Sequence, residues 1–317
     1  VDRLAAAGAR TVAFNILFSE QDRMSPGALS RALPGLGDDL RRRLQELQGS
    51  DEALGAAMRR VPTVTSVAAI RGAGVETATT DSRSRLAVRG GPDISDLPAI
   101  SAVIDNVAPI RRASAGSGIV NLLPEPDGTA RRVPMVFRVG GTLQPGMALD
   151  TARVTLGLPN MLVEVPSPLG VAGLSVGPLF VPTDHRGRMW VDTAHPDRVA
   201  TVSAADVLQG RVPAAAIAGR VVVIGTSASG VGDRLRVGFG ESISGLQFQA
   251  LAIDTMVTGR APRRDRIFDW VEIAATALAG LMLIWLLPRL SPAMKPMAAL
   301  GLTAAAVAAC GYAQIAV

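Results

Sequence analysis

The stretch VVVIGTSASGVGDR, Val221 to Arg234, is an apolar run that breaks into a glycine- and serine-rich turn. Such a break can hold phosphate, because turn N–H groups and a following helix N-terminus attract anions. The nucleotide-binding patterns nevertheless fail residue by residue. A P-loop starting at Gly225 reaches its second glycine at Gly230 but continues with Val231 and Gly232. A lysine for the β/γ-phosphates and a hydroxyl for magnesium are required there. The dinucleotide fingerprint lacks its third glycine after Gly230-Val231-Gly232. GESISG, Gly240 to Gly245, mimics a nucleophile elbow, but Ser242 would need glycine where Ser244 stands. His185 and His195 have no companion residues at zinc-ligand spacing.

What remains is a distribution of polar residues. In open α/β sheets, ligands sit beyond the carboxyl ends of parallel strands. The run RTVAFNILF, Arg10 to Phe18, leads into Ser19, Glu20, Gln21, Asp22 and Arg23. The later apolar run leads into Thr226, Ser227, Ala228 and Ser229, then Asp233 and Arg234. If the two strands are parallel neighbours, both polar loops open on one edge. Asp127 with Arg131 and Arg132, after NLLPEPDG, would add a third wall. The plainer reading makes Asp127-Gly128 a turn and leaves the arginines solvated or paired with acids. The ligand-binding candidates are therefore Glu20, Asp22, Asp127, Arg131, Thr226, Ser227, Asp233 and Arg234, with no catalytic or metal-binding residue and no cofactor expected.

The elements that must position these residues read as α/β over 1–259, a mixed sheet with parallel core strands and antiparallel hairpins. AAAGA is the end of a helix closed by Gly8, which feeds the first strand. Leu40, Leu44 and Leu47 fall at i, i+4, i+7, and Leu54, Ala57, Met58 and Val61 at i, i+3, i+4, i+7, giving two amphipathic helices. VPTVTSVAAI, Val61 to Ile70, is another strand. Residues 71–112 alternate short polar turns with alanine-rich pieces and give no clear pattern. Asp127-Gly128 and Gly140-Gly141 suit hairpin turns, and SVGPLFVPTDHRGRMWVD predicts a hairpin turning near His185-Arg186-Gly187. ALDTARVTLG is helical. SGLQFQALAIDTMVTGR is a helix with Ser244 as N-cap and Gly259 at its C-terminal end.

Composition narrows the class. The 317 residues are 48% AVILMFWYC and 19% charged, a balance that suits a chain lying partly in lipid. Only 3% is aromatic, too little for a stacking platform for single-stranded nucleic acid. The net charge is +5, but residues 1–259 carry only +2, so there is no electrostatic footprint for nucleic acid. Lys295 is the one lysine among 32 basic residues, which reads as codon bias. Cys310 is the single cysteine, so no intrachain disulfide forms. FDWVEIAATALAGLMLIWLL, Phe268 to Leu287, is apolar with Trp270 and Trp285 near its ends. Twenty residues make about 30 Å of helix, the thickness of the hydrocarbon layer. Residues 296–317 carry no charge. The expectation is a juxtamembrane linker at 260–267 and a transmembrane helical hairpin, 268–287 and 296–317. The chain opens inside a helix reading, Asp2 to Ala7, so a preceding segment is expected as well.

Taken in order, GARTVAFNILFSEQDR, GSGIVNLLPEPDGTARRVPMVFR, GRVVVIGTSASGVGDR, GLQFQALAIDTMVTG and the final apolar pair resemble a CHASE domain of the second type, the cyclase- and histidine-kinase-associated sensory extracellular domain. The match covers nearly all of 1–259. The resemblance implies a bacterial receptor of the inner membrane, with one span leading out, an extracytoplasmic sensor, and usually three spans leading back. The output would be a class III nucleotide cyclase first, a histidine kinase next, then a serine/threonine kinase or a cyclic-di-GMP enzyme. It also implies a homodimer, an extracytoplasmic ligand or envelope partner, and no nucleic acid. Asp233 stands where the family commonly has an aspartate. The first strand departs from the family's FD: here Phe14-Asn15 stands, so Asn15 is a weak candidate whose charge is lost.

Two other classes compete. A membrane-anchored α/β enzyme would use Glu20, Asp22 and Asp233 as acid/base or metal groups. An assembly module would use the sensor face to bind another copy or an envelope protein. Charge also opposes the family topology: Arg260, Arg263, Arg264 and Arg266 precede the first span, against Arg289 and Lys295 after it. Counted alone, positive-inside places the sensor in the cytoplasm.

Overall fold

The computed structural model describes residues 1–70, 84–123, 125–166, 170–227, 234–262, 266–289 and 300–301. The chain divides into two units, Val1–Ala261 and Pro262–Val317.

In the first unit, α1 (Asp2–Ala6) ends at Gly8, whose φ of 78° only glycine adopts freely, and the chain turns into β1 (Thr11–Asn15). Then come α2 (Pro26–Ala32), α3 (Asp38–Glu46), α4 (Ser50–Met58), β2 (Thr63–Ile70), β3 (Arg85–Gly90), β4 (Ala99–Ile100) and β5 (Ala102–Ile104). They are followed by α5 (Ala108–Ala113), β6 (Gly116–Ile119), β7 (Arg132–Pro134), β8 (Val136–Val139), β9 (Thr142–Pro145) and α6 (Met147–Thr155). The chain continues through β10 (Asn160–Val165), β11 (Gly173–Val176), β12 (Leu179–Pro182), β13 (Arg188–Trp190), α7 (Ala204–Leu208), β14 (Val221–Gly225), β15 (Arg234–Arg236), β16 (Ser242–Ser244) and α8 (Gly245–Val257).

The central sheet runs β14-β1-β2-β5, with β6 also on β2. β1 is parallel to both β14 and β2, and β6 is parallel to β2. A parallel strand flanked on both faces must be apolar on both, and β1 is: Val12 and Phe14 join the cluster with Leu4, Met58 and Ile110, while Ala13 joins Val64, Met147 and Val154. The sheet is thus covered by α1, α4 and α5 on one face and by α6 on the other. Full burial of a side chain such as Val12 is worth about 1.5–3 kcal/mol.

A second sheet, β12-β11-β10-β3, supplies Met161, Val163, Leu174, Val176 and Val181 to the largest cluster, where they meet Leu149 of α6 and Phe248, Leu251 and Met256 of α8. The mixed α/β class is as expected. The Gly140-Gly141 turn joins β8 to β9, with φ of 53° and 85°. The hairpin expected near His185–Gly187 is a correction. A turn forms there, with the Gly187 N–H donating to the Asp184 carbonyl, but β12 and β13 do not pair. β12 pairs back onto β11 across Gly177, and β13 leaves to pair with β7, because Met189 and Val191 belong to the main core. Asp127-Gly128 is likewise a turn, but β6 and β7 on either side do not pair with each other. α3 also departs from its pattern: Leu40 and Leu47 are exposed, and no residue of the helix is buried.

In the second unit, α9 (Arg266–Leu286) is a helix of 21 residues. Ile273, Leu278, Leu281, Met282, Ile284 and Trp285 along it are all more than half exposed. Among the described residues, no helix is long and apolar enough to cross a membrane. The expected second span at 296–317 lies outside the described residues except for 300–301, as does Cys310.

Candidate functional site

β1 and β14 are parallel neighbours in register, Asn15 beside Gly225, so their polar loops leave the same edge of the sheet. The approach is close: a Cβ on Gly225 would fall 2.8 Å from Leu246 Cδ1 and 3.3 Å from Asn15 Cβ. Thr226 and Ser227 follow, both exposed, and Asp233 lies outside the described residues. The loop after β1 is pinned by buried Asn106, which accepts from the Phe18 N–H at 2.9 Å and donates to the Ser66 carbonyl at 2.9 Å. Nothing in the sequence singled out Asn106.

Glu20, Asp22 and Arg234 each have a local partner. Glu20 pairs with Arg23 at 2.6 Å in solvent. Asp22 caps its own turn, accepting from the Met24 N–H at 2.9 Å, while its own N–H donates to Asp51 at the start of α4. A hydrogen bond from Ser50, then that from Met24, holds the Asp22 carboxyl below its usual range. Arg234 crosses the β15–β16 hairpin to the Ser242 carbonyl at 2.7 Å.

Asp127 and Arg131 come together, with Nη2 to Oδ2 at 2.8 Å, and the Thr129 N–H closes the turn on Asp127 at 3.0 Å. The hydrogen bond from Arg131, then that from Thr129, pulls the Asp127 carboxyl down to about 2. Sequence reasoning missed the rest of this network. Glu125 accepts from Arg131 at 3.2 Å and Arg132 at 2.7 Å, and Arg132 reaches on to Asp184 at 2.8 Å, which Arg188 also holds. The Arg132 guanidinium stacks 4.8 Å from the Trp190 ring centroid. Burial pushes the Glu125 carboxyl up, but Arg132 and Arg131 outweigh it and leave it below its usual value. The network touches the hairpin of Arg234 through the Ala130 N–H, which donates to the Arg236 carbonyl at 2.7 Å. The expected third wall therefore lies beside the β15–β16 hairpin, and its arginines are paired with acids, as the plainer reading had it.

A second acid–arginine pair went unread inside ALDTARVTLG. Asp150 is fully buried in α6 and holds Arg153 Nε at 2.6 Å; Arg153 also donates to the Leu158 and Ala115 carbonyls. Burial pushes the Asp150 carboxyl up despite Arg153, the Ser117 N–H and Ser84. The signal was available in GSG before the helix: a Cβ on Gly116 would collide with the Asp150 carboxylate, and one on Gly118 would fall 2.5 Å from Met147 Cα. Among the described residues, no group of His, Cys, Asp and Glu is gathered as metal ligands are.

In open α/β sheets the crevice beyond the carboxyl ends of parallel strands is where ligands bind, and the loops after β1 and β14 leave at that edge. The family model of the CHASE2 domain matches residues 1–287, and the chain belongs to that family. CHASE2 domains are sensory extracellular domains. Searches of the curated proteins and of the solved structures returned no significant match.

Proposed function

We infer that this chain is the sensory input segment of a bacterial transmembrane receptor. Residues 1–261 would sense outside the cytoplasmic membrane, and the spans expected from the sequence, 268–287 and 296–317, would carry the change through the bilayer to an output enzyme. A nucleotide cyclase is the first expectation and a histidine kinase the second, with the receptor acting as a homodimer. The observation that carries the reading is the CHASE2 match over 1–287. It is supported by α9, whose large apolar side chains from Ile273 to Trp285 are exposed and call for a lipid or protein cover.

A sensor needs contacts that differ between its two states. The edge with Glu20, Asp22, Thr226, Ser227 and Arg234 is where a ligand would make them, with Asp127 and Arg131 beside the hairpin and Asp233 a candidate from the sequence alone. The partners found at Glu20 and Arg234 are exposed and exchangeable, so a ligand can compete for them at little cost.

Output activity of the full-length protein in membranes, with Asp22→Ala and Asp233→Ala, tests the site. Loss or locking of the response supports it, and an unchanged response removes these positions. Site-directed labelling of single cysteines in 1–261 on intact cells tests the topology, which the arginine count around α9 opposes. Labelling from outside supports the receptor reading, and labelling only after lysis overturns it.

A further inference from the structure

We propose that the outer edge of β14 is the surface through which two copies of this chain pair, continuing the central sheet across a twofold axis. β14 is the terminal strand of that sheet, and among the described residues no strand lies along its far side. The Arg220 carbonyl accepts from the Arg10 N–H, so it faces β1. By alternation, Val221, Val223 and Gly225 turn their N–H and C=O groups outward. No described backbone group bonds to them there. Every residue of β14 is half-buried, whereas Thr11–Phe14 of the adjacent β1 are buried, which is the signature of a strand open along one side.

Free edges usually carry a charge, a proline or a bulge that blocks further pairing. The other edges here have such devices or are short. β12 and β9 end on Pro182 and Pro145, and β5 has three residues. β3 is long, but self-pairing about Ala87 would set Arg85 opposite the partner's Arg89, a repulsive pair. β14, Val-Val-Val-Ile-Gly, has no such device and is self-complementary. With the twofold at Val223, Val223 meets its own copy in a hydrogen-bonded pair and Val221 meets the partner's Gly225 in another. On the opposite face Val222 packs on the partner's Ile224. No charge opposes a like charge, and β-branched pairs across strands stabilise such a ladder. The isologous geometry closes at two copies, because each β14 has a single free side. An acidic or mixed-charge peptide finds nothing to recognise on this edge, so a second copy is the occupant its chemistry fits.

The proposal deepens the homodimer of the reading above by naming its surface: a Val223→Pro chain that still dimerises defeats this edge and leaves the homodimer intact, whereas a monomeric wild type defeats both. Light scattering on the detergent-solubilised full chain should give a dimer at micromolar concentration. Val223→Pro removes an outward N–H and should make it a monomer, with a lowered thermal midpoint because the half-buried Val223 side chain also packs on the core. A monomeric wild type overturns the proposal, and so does a Val223→Pro chain that dimerises like the wild type. Should Val223→Pro fail to fold, hydrogen exchange on the wild type decides. Protection of the 221–225 amides that weakens on dilution supports the edge, and concentration-independent exchange there overturns it.

Discussion

Two acid–arginine clusters in one domain follow different physics. Asp150–Arg153 is sealed between α6 and β6, with side chains 0% and 6% exposed. The cluster of Glu125, Arg131, Arg132, Asp184 and Arg188 lies half-open where the 125–132 loop meets β13 and the β15–β16 hairpin, with Arg131 37% exposed. In the sealed pair, every polar atom removed from water must find a partner inside. Arg153 does so by adding two backbone carbonyls to the carboxylate. In the half-open one, water reaches Arg131 and Asp127 and can replace their contact, while Glu125, Arg132, Asp184 and Arg188 keep only a narrow exposed side. Composition does not distinguish the two; burial does, and burial sets what a substitution costs.

The largest effect should come from Asp150→Ala, which strands a buried guanidinium. A loss of about 3–5 kcal/mol in urea unfolding is expected. Replacing both partners, Asp150→Leu with Arg153→Met, should recover much of that loss; a double variant as unstable as the single one would mean the pair itself fixes the packing. Gly118→Ala should come next, at roughly 1–3 kcal/mol, because its Cβ meets the backbone of Met147 rather than a movable side chain. Arg132→Ala, in the open cluster, removes two carboxylate partners and the Trp190 stack. It should cost about 1–3 kcal/mol and less than Asp150→Ala; an equal loss would erase the contrast.

The acid response sharpens the same contrast. The folded-state pKa values of Glu125 and Asp127 are below their unfolded values, so their stabilisation is complete above the usual carboxylate range. It is lost as pH falls through that range, for Asp127 toward about 2. Glu125→Gln with Asp127→Asn should flatten the acid limb of the stability curve, measured by thermal unfolding from neutral pH downward. Asp150 has the opposite sign, since its raised pKa gives stability at low pH that declines as pH rises through the folded value. The smallest effect belongs to Arg42→Ala on α3, whose pair with Asp39 is wholly solvated; a change within about 0.5 kcal/mol is expected.

Local signals were legible where one element carries them. The Ser244 cap, whose Oγ accepts from the Gln247 N–H at 3.1 Å, was readable, as were Gly8, Gly140-Gly141 and the apolar runs of β1, β2 and β14. Pairing was less so: Asp184-His-Arg-Gly187 makes the turn it spells, but which strand β13 joins depends on Val133 of β7, more than 50 residues earlier. α3 misled because periodicity records an apolar stripe without recording whether anything covers it; Leu40 and Leu47 stay in solvent. At the candidate site, the shared edge of the two loops was legible from the strand ends. Glu125, Asp184 and Asn106 were not, since each acts on residues that the fold brings near; Asp150 has Arg153 three residues on, and what the sequence did not show was that the pair is buried.

The neighbour relation of β1 and β14 also has a consequence for synthesis. Thr11–Asn15 leaves the ribosome roughly 200 residues ahead of Val221–Gly225, a wait of about 10–40 s at ordinary elongation rates. Through that interval, one flank of the most buried strand has no mate. Nascent chains stalled before residue 221 should therefore stay sensitive to protease and dependent on chaperones, and those stalled beyond α8 should not.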